Sequence, residues 1–172
     1  CRFKPIFHAL GKTRVLSHIT KVDVEIRYLD ALEHAANKRG LSLRRNQTSY
    51  RWYGRSIGDY PLPAGVSAKD LGKCTHALHL DDKAYEIGLV AQTDGSFRLM
   101  FDFWQGGFGL QGAVGANCKD LVEDYTIEAA RNAAMAQGWQ CDYQVDGSLI
   151  IYHPDGGHMT VQKDGTVESF GF

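Results

Sequence analysis

The chain has 172 residues, 23% of them charged, and a formal net charge of -1. A chain of this length is typical of one domain that buries roughly two thirds of the surface exposed by its unfolded form. Near-neutrality excludes a global electrostatic attraction to nucleic acid, to a membrane or to an acidic partner. Any electrostatic site must therefore be local.

The cysteines indicate neither a disulfide framework nor a zinc ribbon, because they are widely spaced and form no CxxC motif. They are Cys1, Cys74, Cys118 and Cys141. No apolar run approaches the roughly 20 residues that cross a bilayer, and residues 1–15 lack the apolar stretch of a secretory signal. We therefore expect a cytoplasmic protein with reduced thiols, no membrane partner, no cofactor and no metal.

The first predicted elements are a strand and a helix. Residues 17–26 alternate between apolar and charged side chains, which is the period of a half-buried strand. From Leu29 to Ala36 apolar residues recur at helical spacing, and Gly40 suits the left-handed cap. Short strands are predicted over 41–45 and 50–53, and the Gly/Pro-rich segment from Gly54 to Gly72 is predicted as a loop.

The next elements are hairpins, a second helix and further hairpins. Strands are predicted over 75–80, 85–92 and 96–104, with Asp94-Gly95 as a turn signal and alternate residues from Phe97 to Phe103 in the core. A glycine-rich loop over 105–117 leads into a helix over 119–137. Three more Asp-Gly turns then predict a four-stranded meander up to Phe172.

These elements predict an α+β fold of antiparallel hairpin sheets with two helices. Each half of the chain contains a helix, a glycine cap and then about four strands, so the two halves could be a pseudo-repeat. We assign residues 1–16 to an N-terminal extension and residues 17–172 to a single α+β domain.

Several short segments resemble one family in the order in which they occur. They are Ser17-His18-Ile19-Thr20-Lys21, Leu29-Asp30-Ala31-Leu32, Tyr85-Glu86-Ile87-Gly88, Asp102-Phe103-Trp104, Asp124-Tyr125, Gln137-Gly138 and Asp146-Gly147-Ser148-Leu149. Together they resemble the hypothetical chloroplast reading frame 35 family. Its members are small proteins of unknown function from algal chloroplasts and cyanobacteria, with relatives in bacterial and phage genomes.

The resemblance covers about residues 17–152, and the chain departs from the family pattern in three places. Members of the family usually begin just before the Ser-His pair, whereas here residues 1–16 precede it. The long insert between Tyr53 and Thr75 and the hairpin after His153 also depart from it. The family has no established activity, so the resemblance implies no chemistry.

A basic and aromatic segment is the first candidate site. Between Lys38 and Arg55 the sequence has six basic residues, three aromatic residues and no acidic residue. Guanidinium groups bind phosphate in a bidentate way and aromatic rings stack on bases, so Arg44, Arg45, Arg51, Trp52, Tyr53 and Arg55 are candidate ligand-binding residues. The alternative is a solvated strand pair whose aromatic side chains face the core.

The glycine-rich loop is the second candidate, with Gly106, Gly107 and Gly109 as ligand-binding residues. Glycines allow backbone N–H groups to converge, and the start of a helix near Lys119 favours anions. The loop does not match GxxxxGK[ST], and it is not a GxGxxG placed in a βαβ unit. It could equally be a plain connection.

The histidines give only weak indications of chemistry. Cys74, His76 and His79 cannot readily converge on one metal ion from a strand, because His79 points to the opposite face. His153 and His158 with Asp155 would make an incomplete metal site. His18 fits a buried core histidine better than a general base.

We therefore predict a non-catalytic binding or accessory protein for a phosphate-bearing small molecule or nucleotide; binding of nucleic acid stays open. One alternative is an enzyme acting on a nucleotide, with His18 or His76 as acid or base. Another is a homodimeric protein-interaction module that uses an exposed sheet edge. A cleft with a histidine beside a carboxylate would favour the enzyme, and a shallow arginine-lined groove would favour the binding protein.

Overall fold

The computed structural model describes residues 20–54, 62 and 64–171, and of residues 20–24 it describes the backbone only. The predicted extension over residues 1–16, His18 and the candidate residue Arg55 lie outside this described part.

The fold is α+β, as the sequence predicts. Three α-helices and nine strands form in the described chain. They are β1 (Thr20–Ile26), α1 (Leu29–Asn37), β2 (Ser42–Arg45), β3 (His76–His79), β4 (Ile87–Ala91), β5 (Phe97–Phe101), α2 (Leu110–Val114), α3 (Lys119–Ala136), β6 (Gln140–Tyr143), β7 (Leu149–Tyr152), β8 (His158–Val161) and β9 (Val167–Phe170).

The first sheet has five antiparallel strands in the order β1-β5-β4-β3-β2. One of its faces carries Leu78, Ile87, Leu89, Leu99 and Phe101, which pack with α1 and α3 in the main core. The opposite face contacts the segment that follows β2, where Tyr50 and Leu71 pack on Ala77 and Met100. The second face is therefore partly covered by this segment.

The second sheet is the meander β6-β7-β8-β9. It packs on α3 through Leu149, Ile151 and Val161. Two of its three turns share one local geometry, in which an aspartate accepts the N–H of the Ser or Thr two residues later, as Asp146 does from Ser148 and Asp164 from Thr166. Asp94 accepts from Ser96 in the same way in the turn before β5. This local bonding explains why Asp-Gly predicted the hairpins correctly.

Helix α3 connects the two sheets. Its first half places Leu121, Val122 and Tyr125 in the main core, and its second half places Ile127 and Ala130 against the second sheet. Helical spacing predicts an apolar stripe of Leu121, Val122, Tyr125, Ala129 and Ala133 on this helix. The packing confirms the first four, whereas Ala133 is only partly buried. No helix in the described part of the chain combines the length and the apolar character needed to span a membrane.

Two local predictions were wrong. Residues 50–53 form no strand: Ser49 makes an isolated bridge with Lys73, and the Tyr50 ring lies directly over Gly88. Residues 105–117 are not simply a loop, because they include the short helix α2 and a turn at residues 105–108 whose φ angles lie between 50° and 66°.

Candidate functional site

The basic segment from Lys38 to Arg55 contains no acidic residue, but the fold brings carboxylates from other elements into contact with it. Lys38 donates to Glu128, and Nε of Arg39 donates to Asp124 at 2.8 Å, both across the contact between α1 and α3. The guanidinium group of Arg45 donates to Asp30 and Glu33 of α1 at 2.7 and 2.9 Å. These three cations are therefore already paired with carboxylates from elsewhere in the chain.

Alternation along β2 separates Arg44 from Arg45. Arg45 lies on the face that packs against α1, whereas Arg44 lies opposite Ala77 on the other face. Arg51 follows in the segment that covers this second face, and its backbone N–H donates to Glu86 at 2.9 Å. The structure therefore brings Arg44 and Arg51 together and places Arg45 elsewhere.

Glu86 organises this second face, and it is 3% exposed. Oε1 lies 2.9 Å from Nδ1 of His79 and 4.0 Å from a guanidinium nitrogen of both Arg44 and Arg51. Oε2 accepts hydrogen bonds from Gln47 and from the backbone N–H of Arg51. We refer to Glu86, His79, Arg44 and Arg51 as the Glu86 cluster.

The Glu86 carboxylate is held in its charged form. Burial acts to raise its pKa, but the hydrogen bonds from His79, the Arg51 N–H and Gln47, together with the positive charge of Arg51, outweigh burial and leave the pKa below its usual value. A fixed negative charge therefore lies beneath the two guanidinium groups.

The two arginines keep unused hydrogen-bond donors. Arg51 donates from Nη1 to the carbonyls of Ala84 at 2.8 Å and Asp81 at 3.2 Å. Arg44 donates no hydrogen bond to any residue that the structure describes and contacts Glu86 only at 4.0 Å. The side chains of Arg44 and Arg51 are 47% and 37% exposed. Since a guanidinium group has five donors, both can bind an anion from solvent.

The aromatic candidates divide between the core and a second group. Trp52 packs on Gly72, where a Cβ would lie 2.4 Å from the indole nitrogen. Tyr53 contacts Trp104 with ring centroids 5.2 Å apart; Trp104 contacts Phe108 at 5.9 Å, and Phe108 contacts Tyr85 at 5.2 Å. We call Tyr53, Tyr85, Trp104 and Phe108 the aromatic cluster.

The candidate glycines build the turn that carries Phe108. Gly106 and Gly107 have φ of 66° and 60°, and Gly109 has φ of 107°. The N–H of Tyr85 donates to the carbonyl of Gly107 at 3.0 Å, which fixes the turn to the start of β4. Helix α2 separates these glycines from the start of α3, where Asp120 occupies the first turn. The glycines therefore do not form an anion site with that helix end.

His79 and Glu86 form a histidine–carboxylate pair that the sequence analysis missed. A carboxylate only accepts hydrogen bonds, so Nδ1 of His79 donates to Glu86, and Nε2 lies 3.6 Å from the exposed carboxylate of Asp82. The predicted hairpin contained the sequence signal for this pair. Leu78 pairs with Ile87, and His79 and Glu86 are the next residues on each strand toward the turn. His79 is only 7% exposed, which leaves Nε2 little access to a substrate.

Of the two histidines proposed as acid or base, His18 lies outside the described residues and His76 has a structural contact. Nδ1 of His76 accepts the N–H of Asn46 at 2.9 Å, and the ring packs on Phe97. Burial is the main cause of the lowered pKa of His76. Within the described residues, no three His, Cys, Asp or Glu side chains converge as a metal site requires.

A groove of about 680 Å³ lies on the other face, next to Arg45. Its lining includes Arg27, Arg45, Asp30 and Phe97. Both arginines there are bonded to carboxylates, Arg27 to Asp94 and Arg45 to Asp30. This groove therefore has fewer unused guanidinium donors for an anion than the Glu86 cluster has.

Comparison with protein-family models, with curated proteins and with solved structures gave no match. The resemblance to the chloroplast reading frame family therefore stays a prediction.

Proposed function

We propose that the protein is a non-catalytic binding protein for a phosphate-bearing ligand, which it holds at Arg44 and Arg51. The observation that carries the proposal is the pair of half-exposed guanidinium groups, each 4.0 Å from the same buried oxygen of Glu86. Because each of the two guanidinium nitrogens lies 4.0 Å from the same oxygen, the distance between them is at most twice that value. A single phosphate can therefore bridge them. A cytoplasmic location is part of this proposal.

Preorganisation supports this assignment. Arg51 is held by two carbonyls and by its own backbone N–H, so its planar fork is oriented before a ligand arrives. Charge-assisted, bidentate bonds from arginine to phosphate are among the stronger hydrogen bonds in proteins. A buried glutamate beneath the two arginines orients them without blocking their outer donors.

Asp82 is the main competitor for an incoming anion. Its side chain is 97% exposed, and Oδ1 lies 3.6 Å from Nε2 of His79. A phosphate near His79 would replace this carboxylate or be repelled by it. Asp82→Asn should therefore raise the affinity for phosphate modestly, and added salt should lower it.

The test is a calorimetric titration of inorganic phosphate at low ionic strength. Replacing both Arg44 and Arg51 by alanine should abolish binding, since it removes all the free guanidinium donors of the site. Arg45→Ala is the matched control, because Arg45 adjoins Arg44 in sequence but is bonded to Asp30 and Glu33 on the opposite face. Equal affinity of the double variant and the parent would contradict the proposal, as would loss of binding in Arg45→Ala alone.

The enzyme alternative is favoured by one observation, the 2.9 Å contact between His79 and Glu86. The burial of both side chains argues against it. Assays of nucleotide hydrolysis with the parent and with His79→Gln test this alternative. Turnover that disappears in the variant would support the enzyme and replace the binding proposal.

A second candidate function is homodimerisation through strand β9, one of the two edge strands of the second sheet. Strand β9 ends that sheet, and its four residues are all exposed, with Val167 and Phe170 exposed by 42% and 46%. Proteins usually protect an edge with charges or bulges. Strand β2 carries two arginines, and β1 has an irregular register against β5, whereas β9 has only Glu168.

Sedimentation over a range of protein concentrations tests this edge. We expect reversible self-association that Val167→Lys abolishes. Val145→Lys is the control, because Val145 is fully exposed in the turn between β6 and β7 and not on the edge. A monomer at every concentration, or equal association of both variants, would exclude β9 as the interface.

A further inference from the structure

Two short stretches of chain link the aromatic cluster to the proposed phosphate site. Nη1 of Arg51 donates to the carbonyl of Ala84, and the next residue, Tyr85, packs its ring on Phe108. Two residues after Arg51, Tyr53 packs its ring on Trp104. The guanidinium group of Arg51 and the ring of Phe108 are thus fixed to the same short stretch of chain.

Phe108 is the solvent-facing member of this cluster. It is 45% exposed, whereas Tyr85 is 8% exposed. Phe108 meets Tyr85 at an interplanar angle of 75° and Trp104 at 66°. Both neighbours therefore contact Phe108 edge to face, which supports its ring while leaving part of its surface open to solvent.

The backbone adopts an unfavourable conformation to place Phe108 there. Residues 105–108 are all left-handed, with φ of 50° at Gln105 and 55° at Phe108. In a residue other than glycine this conformation costs roughly 1–2 kcal/mol. The bond from the Tyr85 N–H to Gly107 and a bond of 2.8 Å from the Gly106 N–H to Phe103 hold the turn.

We infer that Phe108 is the stacking platform for a nucleobase and that the ligand is a nucleoside phosphate. This inference rests on the proposed phosphate site, because the arginines bind the phosphate and Phe108 adds the selectivity for a base. An aromatic face stacks on any base with little preference for its identity. The site should therefore distinguish nucleotides from sugar phosphates more strongly than it distinguishes one base from another.

The test compares the affinities of AMP and ribose 5-phosphate, which share the phosphate and the sugar and differ in the base. The parent should bind AMP roughly 10-fold more tightly, as stacking of one base contributes. Phe108→Leu keeps an apolar contact with Tyr85 and Trp104 but removes the ring. It should lower the affinity for AMP to that for ribose 5-phosphate and leave ribose 5-phosphate binding unchanged, while Phe108→Trp should retain the preference.

The control variant is Tyr152→Leu, since Tyr152 is a comparably exposed ring, 41%, on the second sheet. It should leave both affinities unchanged. Equal binding of AMP and ribose 5-phosphate by the parent, or a preference that survives in Phe108→Leu, would overturn the stacking platform and leave the phosphate site standing. Binding of neither compound by the parent would overturn the phosphate site, and the platform with it.

Discussion

Two regions of the molecule are each built around a buried glutamate, but they use it differently. Glu128, in α3, is fully buried; it bonds to Lys38, lies 3.0 Å from Nδ1 of His34, and accepts from the Tyr143 hydroxyl at 3.0 Å. Glu86 accepts instead from His79, a backbone N–H and an amide, while Arg44 and Arg51 remain at 4.0 Å. The partners of Glu128 donate directly to it, whereas the arginines near Glu86 keep their donors.

This difference in free donors distinguishes the structural cluster around Glu128 from the proposed binding cluster around Glu86. Glu128 joins α1, α3 and β6, because Lys38 and His34 lie in or next to α1 and Tyr143 lies in β6. The same contacts raise the pKa of Tyr143 to about 12, through burial first and then its hydrogen bond to Glu128. A charged cluster is therefore a candidate site only if its cations retain unused donors.

The largest expected effect is on stability at Glu128. Glu128→Ala should lower the free energy of unfolding by about 2 kcal/mol, because it removes a buried carboxylate and leaves its partners unpaired. Urea unfolding at pH 7 measures this change, and phosphate affinity should stay at the parent value. Glu123→Ala, which removes only a contact to Lys119 on the same helix, should have a much smaller effect. A change below about 0.5 kcal/mol in Glu128→Ala would show that Glu128 does not hold α1, α3 and β6 together.

The second prediction concerns the pH dependence of the stability that Glu86 contributes. Glu86→Gln should lower stability by about 2 kcal/mol at pH 7, because an amide N–H₂ cannot accept from Gln47 and the Arg51 N–H. The folded-state pKa of Glu86 is depressed, so its contribution is complete above the unfolded value of about 4.3 and is lost as the pH falls through the lower folded value. The difference between parent and variant should therefore narrow from pH 7 to pH 3. Unfolding curves that stay the same distance apart would contradict the charged form of Glu86.

The smallest expected effect is on phosphate affinity, when the planar guanidinium group of Arg51 is replaced by an ammonium group. Arg51→Lys keeps the charge but loses the planar fork that bonds to Ala84 and Asp81 and presents donors to phosphate. Phosphate affinity should fall several-fold, with little change in unfolding. Calorimetry on Arg51→Lys and Arg51→Ala separates geometry from charge. If the lysine variant binds as tightly as the parent, charge alone accounts for binding.

Local interactions explain the parts of the fold that the sequence predicted. The hairpins follow Asp-Gly turns in which Asp94, Asp146 and Asp164 bond two residues ahead. The apolar stripe of α3 follows from helical spacing. Residues 50–53 could not be predicted in this way, because Tyr50 depends on a space at Gly88 that the folded sheet creates.

The candidate site was partly accessible from sequence. Alternation along β2 was sufficient to place Arg44 and Arg45 on opposite faces, and the hairpin register was sufficient to pair His79 with Glu86. The carboxylates that meet Lys38, Arg39 and Arg45 come from α1 and α3, so only the tertiary structure reveals which arginines keep free donors. The left-handed turn that carries Phe108 has no sequence signal at Gln105 or at Phe108 itself.

The most direct test of the central claim is an NMR titration that follows the Nε–Hε resonances of the arginines as inorganic phosphate is added. The account predicts that the resonances of Arg44 and Arg51 shift together along one saturable curve. Those of Arg39 and Arg45, whose guanidinium groups are bonded to carboxylates, should stay in place. Uniform shifts of all four arginines, or no shift at Arg44 and Arg51, would contradict the claim that the Glu86 cluster is a binding site.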